Sequence, residues 1–156
     1  MKIAIGNKAR SGKDTAGDYL VAKHGFKKIS FAAPLYRAAA AVQSALGLPV
    51  VKDPTLLQGL GETMRRSQGV NFWVDIMDSC IVPDVSYVVT DMRRIQEYDY
   101  CKKNGWITVR IDRPDRPIDR DPNDISEVDL DGIVFDHVIV NDGTVEDLYS
   151  KLDMII

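Results

Sequence analysis

Gly6-Asn7-Lys8-Ala9-Arg10-Ser11-Gly12-Lys13-Asp14-Thr15 is the stretch on which the reading of this chain turns. The run Met1-Lys2-Ile3-Ala4-Ile5 before it reads as a short strand. Residues 13–24 after it read as a helix, with Ala16, Tyr19, Leu20 and Ala22 at helical spacing and Gly25 as the stop. A glycine-containing loop between a strand and a helix aims successive backbone N–H groups at one point, where the helix N-terminus adds a dipole favourable to anions. Gly12 allows close backbone approach to a phosphate, and Lys13 reaches the β- and γ-phosphates. Two positions depart from the strict phosphate-loop pattern. Asn7 stands where its first glycine is due, with Gly6 one place earlier, and Asn tolerates left-handed backbone better than most residues. Asp14 stands where a metal-binding Ser or Thr is due, followed by Thr15. Asp14 suits a water-mediated contact to magnesium and Thr15 a contact to phosphate or metal.

Working outward, short apolar strands alternate with helical segments. Residues 26–31 read as a strand. A helix begins near Pro34, runs through Ala38-Ala39-Ala40-Ala41 and ends near Gly47 and Pro49. Residues 54–66 and 71–81 read as two more helices. Residues 85–90 form a continuous β-rich run ending at Asp91, the pattern of a central strand buried on both faces. A helix over 94–103, a strand over 106–111, a short helix over 126–131, a strand over 137–140 and a helix over 144–155 complete the chain. Residues 112–124 carry many charges and three prolines and read as a loop. This order predicts an α/β fold of three layers, a mostly parallel sheet of about five strands with helices on both faces, within a single domain over 1–156. Ligands of such sheets bind at the carboxyl ends of the strands.

Lys and Arg number 20 against 23 Asp and Glu, for a net charge of −3, which argues against a general nucleic-acid binder. No apolar stretch is long enough to span a bilayer, and no secretion signal is read at the N-terminus. Cys80 and Cys101 stand in neither metal nor redox spacing, so they are read as reduced thiols and the expected location is the cytoplasm. The arginines cluster: Arg65 with Arg66, Arg93 with Arg94, and Arg110, Arg113, Arg116 and Arg120 within one span. Guanidinium forks match phosphate oxygens, and any single one of these also fits a solvated surface.

With these pieces in hand, the chain resembles the deoxynucleoside monophosphate kinases of bacteriophages and their bacterial relatives, members of the nucleoside monophosphate kinase group of P-loop proteins. The resemblance runs nearly end to end. It rests on Ala9-Arg10-Ser11-Gly12-Lys13-Asp14-Thr15, Ser30-Phe31-Ala32-Ala33-Pro34-Leu35, Leu57-Gln58-Gly59-Leu60-Gly61-Glu62-Thr63 and Asn71-Phe72-Trp73-Val74. It continues through Val88-Val89-Thr90-Asp91-Met92-Arg93, Val109-Arg110-Ile111-Asp112-Arg113-Pro114, Ser126-Glu127 and Val140-Asn141-Asp142-Gly143-Thr144. Asp124 departs from the histidine that relatives tend to carry there.

The resemblance implies transfer of the ATP γ-phosphoryl group to a nucleoside monophosphate, most readily a deoxynucleotide. Lys13, Asp91, Arg93 and Arg113 are the implied catalytic residues. Lys8, Ala9, Arg10, Ser11, Gly12, Lys13, Asp14, Thr15 and Arg110 are implied to meet ATP, with Asn141, Gly143 and Thr144 in the loop that cradles its adenine. An acceptor-binding helical region is implied over about 31–83. Phe31, Arg37, Arg65, Arg66 and Trp73, together with Arg93, would contact the acceptor there. Tyr36 joins Phe31 and Trp73 as a candidate for stacking on the base, and for these aromatics core packing fits equally. Asp14, Thr15 and Asp91 would hold Mg2+, residues 112–124 would form an arginine-rich lid, and a homodimer is compatible with the family. Two alternatives stay open: a kinase of another phosphorylated metabolite, such as dephospho-coenzyme A or phosphomevalonate, and a non-catalytic P-loop nucleotide switch. The arginine-rich lid speaks against the switch.

Overall fold

The computed structural model describes residues 1–115, 117, 121 and 123–156. The elements run β1 (Lys2–Gly6), α1 (Lys13–His24), β2 (Lys27–Ile29), α2 (Ala33–Ala45), α3 (Pro54–Gln68), α4 (Phe72–Asp78), β3 (Tyr87–Met92), α5 (Ile95–Lys103), β4 (Ile107–Asp112), α6 (Ile125–Val128), β5 (His137–Val140) and α7 (Val145–Asp153). They fall into two compact units, one of Met1–Ile29 with Val82–Ile156 and one of Ser30–Ile81.

The first unit holds a five-stranded sheet in the order β2-β3-β1-β4-β5, with every neighbouring pair parallel. β1 is central, so the loop leaving its carboxyl end emerges between β3 and β4. Strand pleating sorts the core. Ile3 and Ile5 of β1, Val88 of β3, Val109 and Ile111 of β4 and Ile139 of β5 gather with Ala16 and Leu20 of α1 and Leu148 and Leu152 of α7. Their alternates Ala4, Tyr87, Val89 and Thr108 are also buried, which is why these strands read as unbroken apolar runs. Each fully buried Leu, Ile or Val side chain contributes roughly 1.5–3 kcal/mol against exposure.

Some boundaries differ from the sequence reading. β3 starts at Tyr87, whose N–H donates to Met1 O, and it carries Asp91 within the strand, because Met92 still pairs with Gly6 beyond a register shift in β1. β2 is three residues long instead of covering 26–31, and α6 spans four residues starting at Ile125. The Asp124 side chain caps α6 by accepting from Ser126 N–H at 2.8 Å.

The second unit is helical. The Asp53 side chain caps α3 through Leu56 N–H at 3.0 Å, with Pro54 in the first turn. Gln43 of α2 grips Val51 through both its N–H and its carbonyl, folding the connection back onto the helix. Trp73 Nε1 donates to Gly61 O at 3.2 Å, joining α4 to α3. Among the described residues, no helix is long and apolar enough to cross a membrane.

Candidate active site

The loop between β1 and α1 alternates into left-handed backbone at Asn7 (φ 86°), Arg10 (φ 61°) and Gly12 (φ 103°), which folds it into a concavity of main-chain groups. Gly12 is required twice over. Its φ disfavours a side chain, and a Cβ there would lie 2.6 Å from Asn141 Nδ2.

Several braces hold the loop in shape. Lys13 is buried, and its ammonium donates to Lys8 O and to Ser11 Oγ at 3.4 Å, so the cation lies across the loop mouth. Asn141 Nδ2 donates to Ser11 O at 2.9 Å, while Asn141 N–H donates to Asp112 O at 2.7 Å. Asn7 Nδ2 donates to Asp112 Oδ1, and Arg110 Nε grips both oxygens of the same carboxylate at 2.7 and 2.9 Å. At the start of α1, Asp14 accepts from Thr90 Oγ1 at 2.8 Å and from Lys28 Nζ at 3.3 Å. Burial pushes the Asp14 carboxyl up, but the Thr90 hydroxyl and the Lys28 and Lys13 ammonium groups together hold it below the usual range. Gly17, one turn on, lets α1 lie directly against Thr90.

Arg10, Gly12, Lys13, Asp14, Thr15, Thr90, Asp91, Arg93 and Arg113 line one cleft of about 310 Å³ at the carboxyl end of the sheet. Opposite charges therefore share a pocket: three arginines and a lysine beside two carboxylates. Arg93 is anchored at both ends. Its N–H donates to Glu97 Oε2 at 2.7 Å and its Nη1 to Glu127 Oε1 at 3.2 Å. Burial pushes Glu97 up to about 7, against the pull of the Arg93 and Arg94 N–H groups, and the nearby Asp91 adds to the rise.

Asp14, Thr15 and Asp91 face this one cleft, and among the described residues no three His, Cys, Asp or Glu side chains cluster as a self-sufficient metal site. That donor set fits Mg2+, which is held by one or two carboxylates and completes its shell with water and phosphate oxygens.

Of the sequence-derived candidates, Arg10, Gly12, Lys13, Asp14, Thr15, Asp91, Arg93 and Arg113 meet in the cleft, and Lys8, Ala9 and Ser11 belong to the loop beneath it. Arg110 and Asn141 brace the loop from outside the cleft lining, and Thr144 caps α7 by accepting from Asp147 N–H at 3.2 Å, with Gly143 just before it. Phe31, Tyr36, Arg37, Arg65, Arg66 and Trp73 all lie in the unit Ser30–Ile81. Phe31 and Trp73 are buried there, Tyr36, Arg37 and Arg66 are exposed, and Arg65 pairs with Glu62 at 2.9 Å. Arg116 and Arg120 of the expected lid lie outside the described residues. The sequence reading assigned no role to Thr90 or Glu127 and placed Asp112 at the start of the lid, whereas Asp112 ends β4 and holds Asn7 and Arg110. The one sequence signal of Thr90 and Glu127 was membership in the stretches that carry the resemblance.

The family described as deoxynucleotide monophosphate kinase matches residues 55–152. A putative deoxynucleotide monophosphate kinase of Acanthamoeba polyphaga mimivirus is 29% identical over 173 residues, covering 91% of this chain and 89% of that protein. The uncharacterized protein ORF77 of Ictalurid herpesvirus 1 (strain Auburn) is 35% identical over 120 residues, 72% of this chain and half of that protein. Shikimate kinase from Aquifex aeolicus superposes with a TM-score of 0.57 at 16% identity, over 99% of this chain and 95% of that one, a likeness of fold.

Proposed function

Because this chain belongs to the deoxynucleotide monophosphate kinase family, we propose that it transfers the γ-phosphoryl group of ATP to a deoxynucleoside 5′-monophosphate in the cytoplasm, releasing ADP and the diphosphate. The observation that carries the reading is the convergence of Lys13, Arg10, Arg93, Arg113 and Asp91 on one cleft above the phosphate-binding loop.

The acceptor needs no general base, since a phosphate monoester is already ionised near neutral pH. One of its oxygens attacks the γ-phosphorus, the bond from that phosphorus to the β–γ bridging oxygen breaks, and the electron pair leaves with ADP. Charge spreads over the transferring group, so catalysis reduces to positioning and electrostatic stabilisation. Lys13 follows the charge from the β- to the γ-phosphate. Arg93 bridges donor and acceptor phosphates, and Arg10 and Arg113 neutralise the remaining oxygens. Asp91 and Thr15, with Asp14 through water, would hold Mg2+, which neutralises phosphate charge when bound. The unit Ser30–Ile81 supplies the acceptor site, with Arg37, Arg65 and Arg66 for the phosphate and Phe31 and Trp73 shaping the base pocket. Residues 112–124 act as the lid, and Asn141 to Thr144 pass beside the adenine.

The test is ADP release with ATP over a panel of acceptors: each monophosphate in ribo and deoxy form, dephospho-coenzyme A and phosphomevalonate. Turnover with deoxynucleotides is expected. Turnover confined to a non-nucleotide acceptor, or ADP release that no acceptor stimulates, overturns the reading.

A further inference from the structure

Glu127 is a buried carboxylate, 5% exposed, placed directly against the phosphate-binding loop. Its two oxygens lie 3.2 and 3.3 Å from Ala9 N, and Oε1 also accepts from Arg93 Nη1 at 3.2 Å. The segment carrying it is clamped from outside, where Lys8 Nζ donates to Glu127 O and, at 2.6 Å, to Asp131 Oδ1. Ile95 N–H donates to Asp129 Oδ2 at 2.9 Å, so the turn after α6 is also tied to the start of α5, two residues past Arg93.

A carboxylate is buried at a free-energy penalty unless charge and hydrogen bonds compensate it. Here Arg93, a cation paired with Glu127, lines the cleft. Since Glu97 fixes the Arg93 main chain, the Glu127 contact sets the remaining variable, the direction of the guanidinium. A guanidinium is a planar fork of five N–H donors, so holding one arm aims the others. Negative charge beside bound phosphates repels them, so direct contact of Glu127 with the nucleotide would not tighten ground-state binding. What it can contribute is orientation.

We propose that Glu127 is a positioning residue for phosphoryl transfer, acting through the Arg93 guanidinium and the Ala9 N–H. This rests on the phosphotransfer reading given above. It makes a demand that a plain structural ion pair does not: loss of the Glu127 charge lowers kcat while leaving the KM for ATP unchanged or reduced.

Glu127→Gln retains size and one acceptor for Ala9 N–H but no longer pairs with Arg93. Its kcat is expected to fall about 10- to 100-fold with no rise in KM, and the same change in an Arg93→Ala background is expected to have less than about a two-fold effect. An equal loss of kcat in both backgrounds, or a raised KM at unchanged kcat, overturns the proposal. If Glu127→Gln does not fold, Arg93→Lys serves as the second variant. It keeps the charge pair but loses the fork, and the same split of kcat from KM is expected, with wild-type kcat overturning the proposal. One readout is independent of turnover. In side-chain NMR of 15N-arginine protein, the Arg93 Nε–H signal is expected to be sharp in the wild type and broadened in Glu127→Gln. An unchanged signal overturns the Glu127 assignment, whereas absence of any phosphoryl transfer by the wild type overturns the functional reading alone.

Discussion

Asn7 Nδ2 donates to Asp112 Oδ1 at 2.9 Å, tying the first turn of the phosphate-binding loop to the end of β4, 105 residues away. The departure of Asn7 from the consensus glycine thereby acquires a physical reason. Glycine would take φ 86° with less strain, but it has no amide to reach Asp112. The relief is worth about 1 kcal/mol, whereas a hydrogen bond to a charged group is worth about 1.5–3 kcal/mol. Asn7→Gly is therefore expected to destabilise the protein by about 1 kcal/mol, measured by urea unfolding. A more stable variant would mean that the loop is held without this bond.

Lys13 donates to Lys8 O and Ser11 Oγ, both within its own loop, and stands outside the hydrophobic core cluster. Lys13→Ala is expected to lose about 3–5 kcal/mol of transition-state stabilisation while keeping its circular dichroism and melting behaviour. Steady-state kinetics beside thermal melts check this. Turnover within a few-fold of wild type would remove Lys13 from the chemistry.

Gly17 faces Thr90 so closely that a Cβ would lie 2.3 Å from Thr90 Cγ2. Alanine gains about 1 kcal/mol in helix propensity, but overpacking a buried β-branched neighbour costs about 1–3 kcal/mol. Gly17→Ala is expected to be destabilising on balance and to disturb the Thr90 contact to Asp14. The double variant Gly17→Ala with Thr90→Ser removes the obstructing methyl, keeps the hydroxyl and should recover most of the loss. Failure of the serine to rescue would place the strain elsewhere.

Glu97 has its folded pKa raised to about 7 from 4.5, chiefly by burial, so the folded state holds its proton more tightly than the unfolded chain. Its contribution is then fully present below pH ~4.5 and is lost as pH rises through ~7. Between pH 5 and pH 8 the wild type is expected to lose on the order of 2 kcal/mol relative to Glu97→Gln, which cannot titrate. Parallel urea midpoints of the two proteins across that range would show that Glu97 titrates normally.

The order of elements and the phosphate-binding loop were legible in the residues because their causes are local. Gly12-Lys13 at a helix start, Gly25 at its end, Pro34 and Pro54 in first turns and the apolar run through Val88 and Val89 each act within a few residues of themselves. Asn7 was legible for the same reason, since tolerance of left-handed backbone belongs to the single residue. What escaped is set by pairing across the chain. Asp91 reads as the residue that ends its strand, yet β3 continues to Met92 because β1 supplies Gly6 as a partner. Asp14 reads as a metal-side carboxylate, and the fold brings it Thr90 and Lys28 as well. Glu127 carries no local mark of importance. Its meaning comes from Ala9 and Arg93, 118 and 34 residues away, because a carboxylate is worth burying only where the folded chain gathers a cation and an N–H around it.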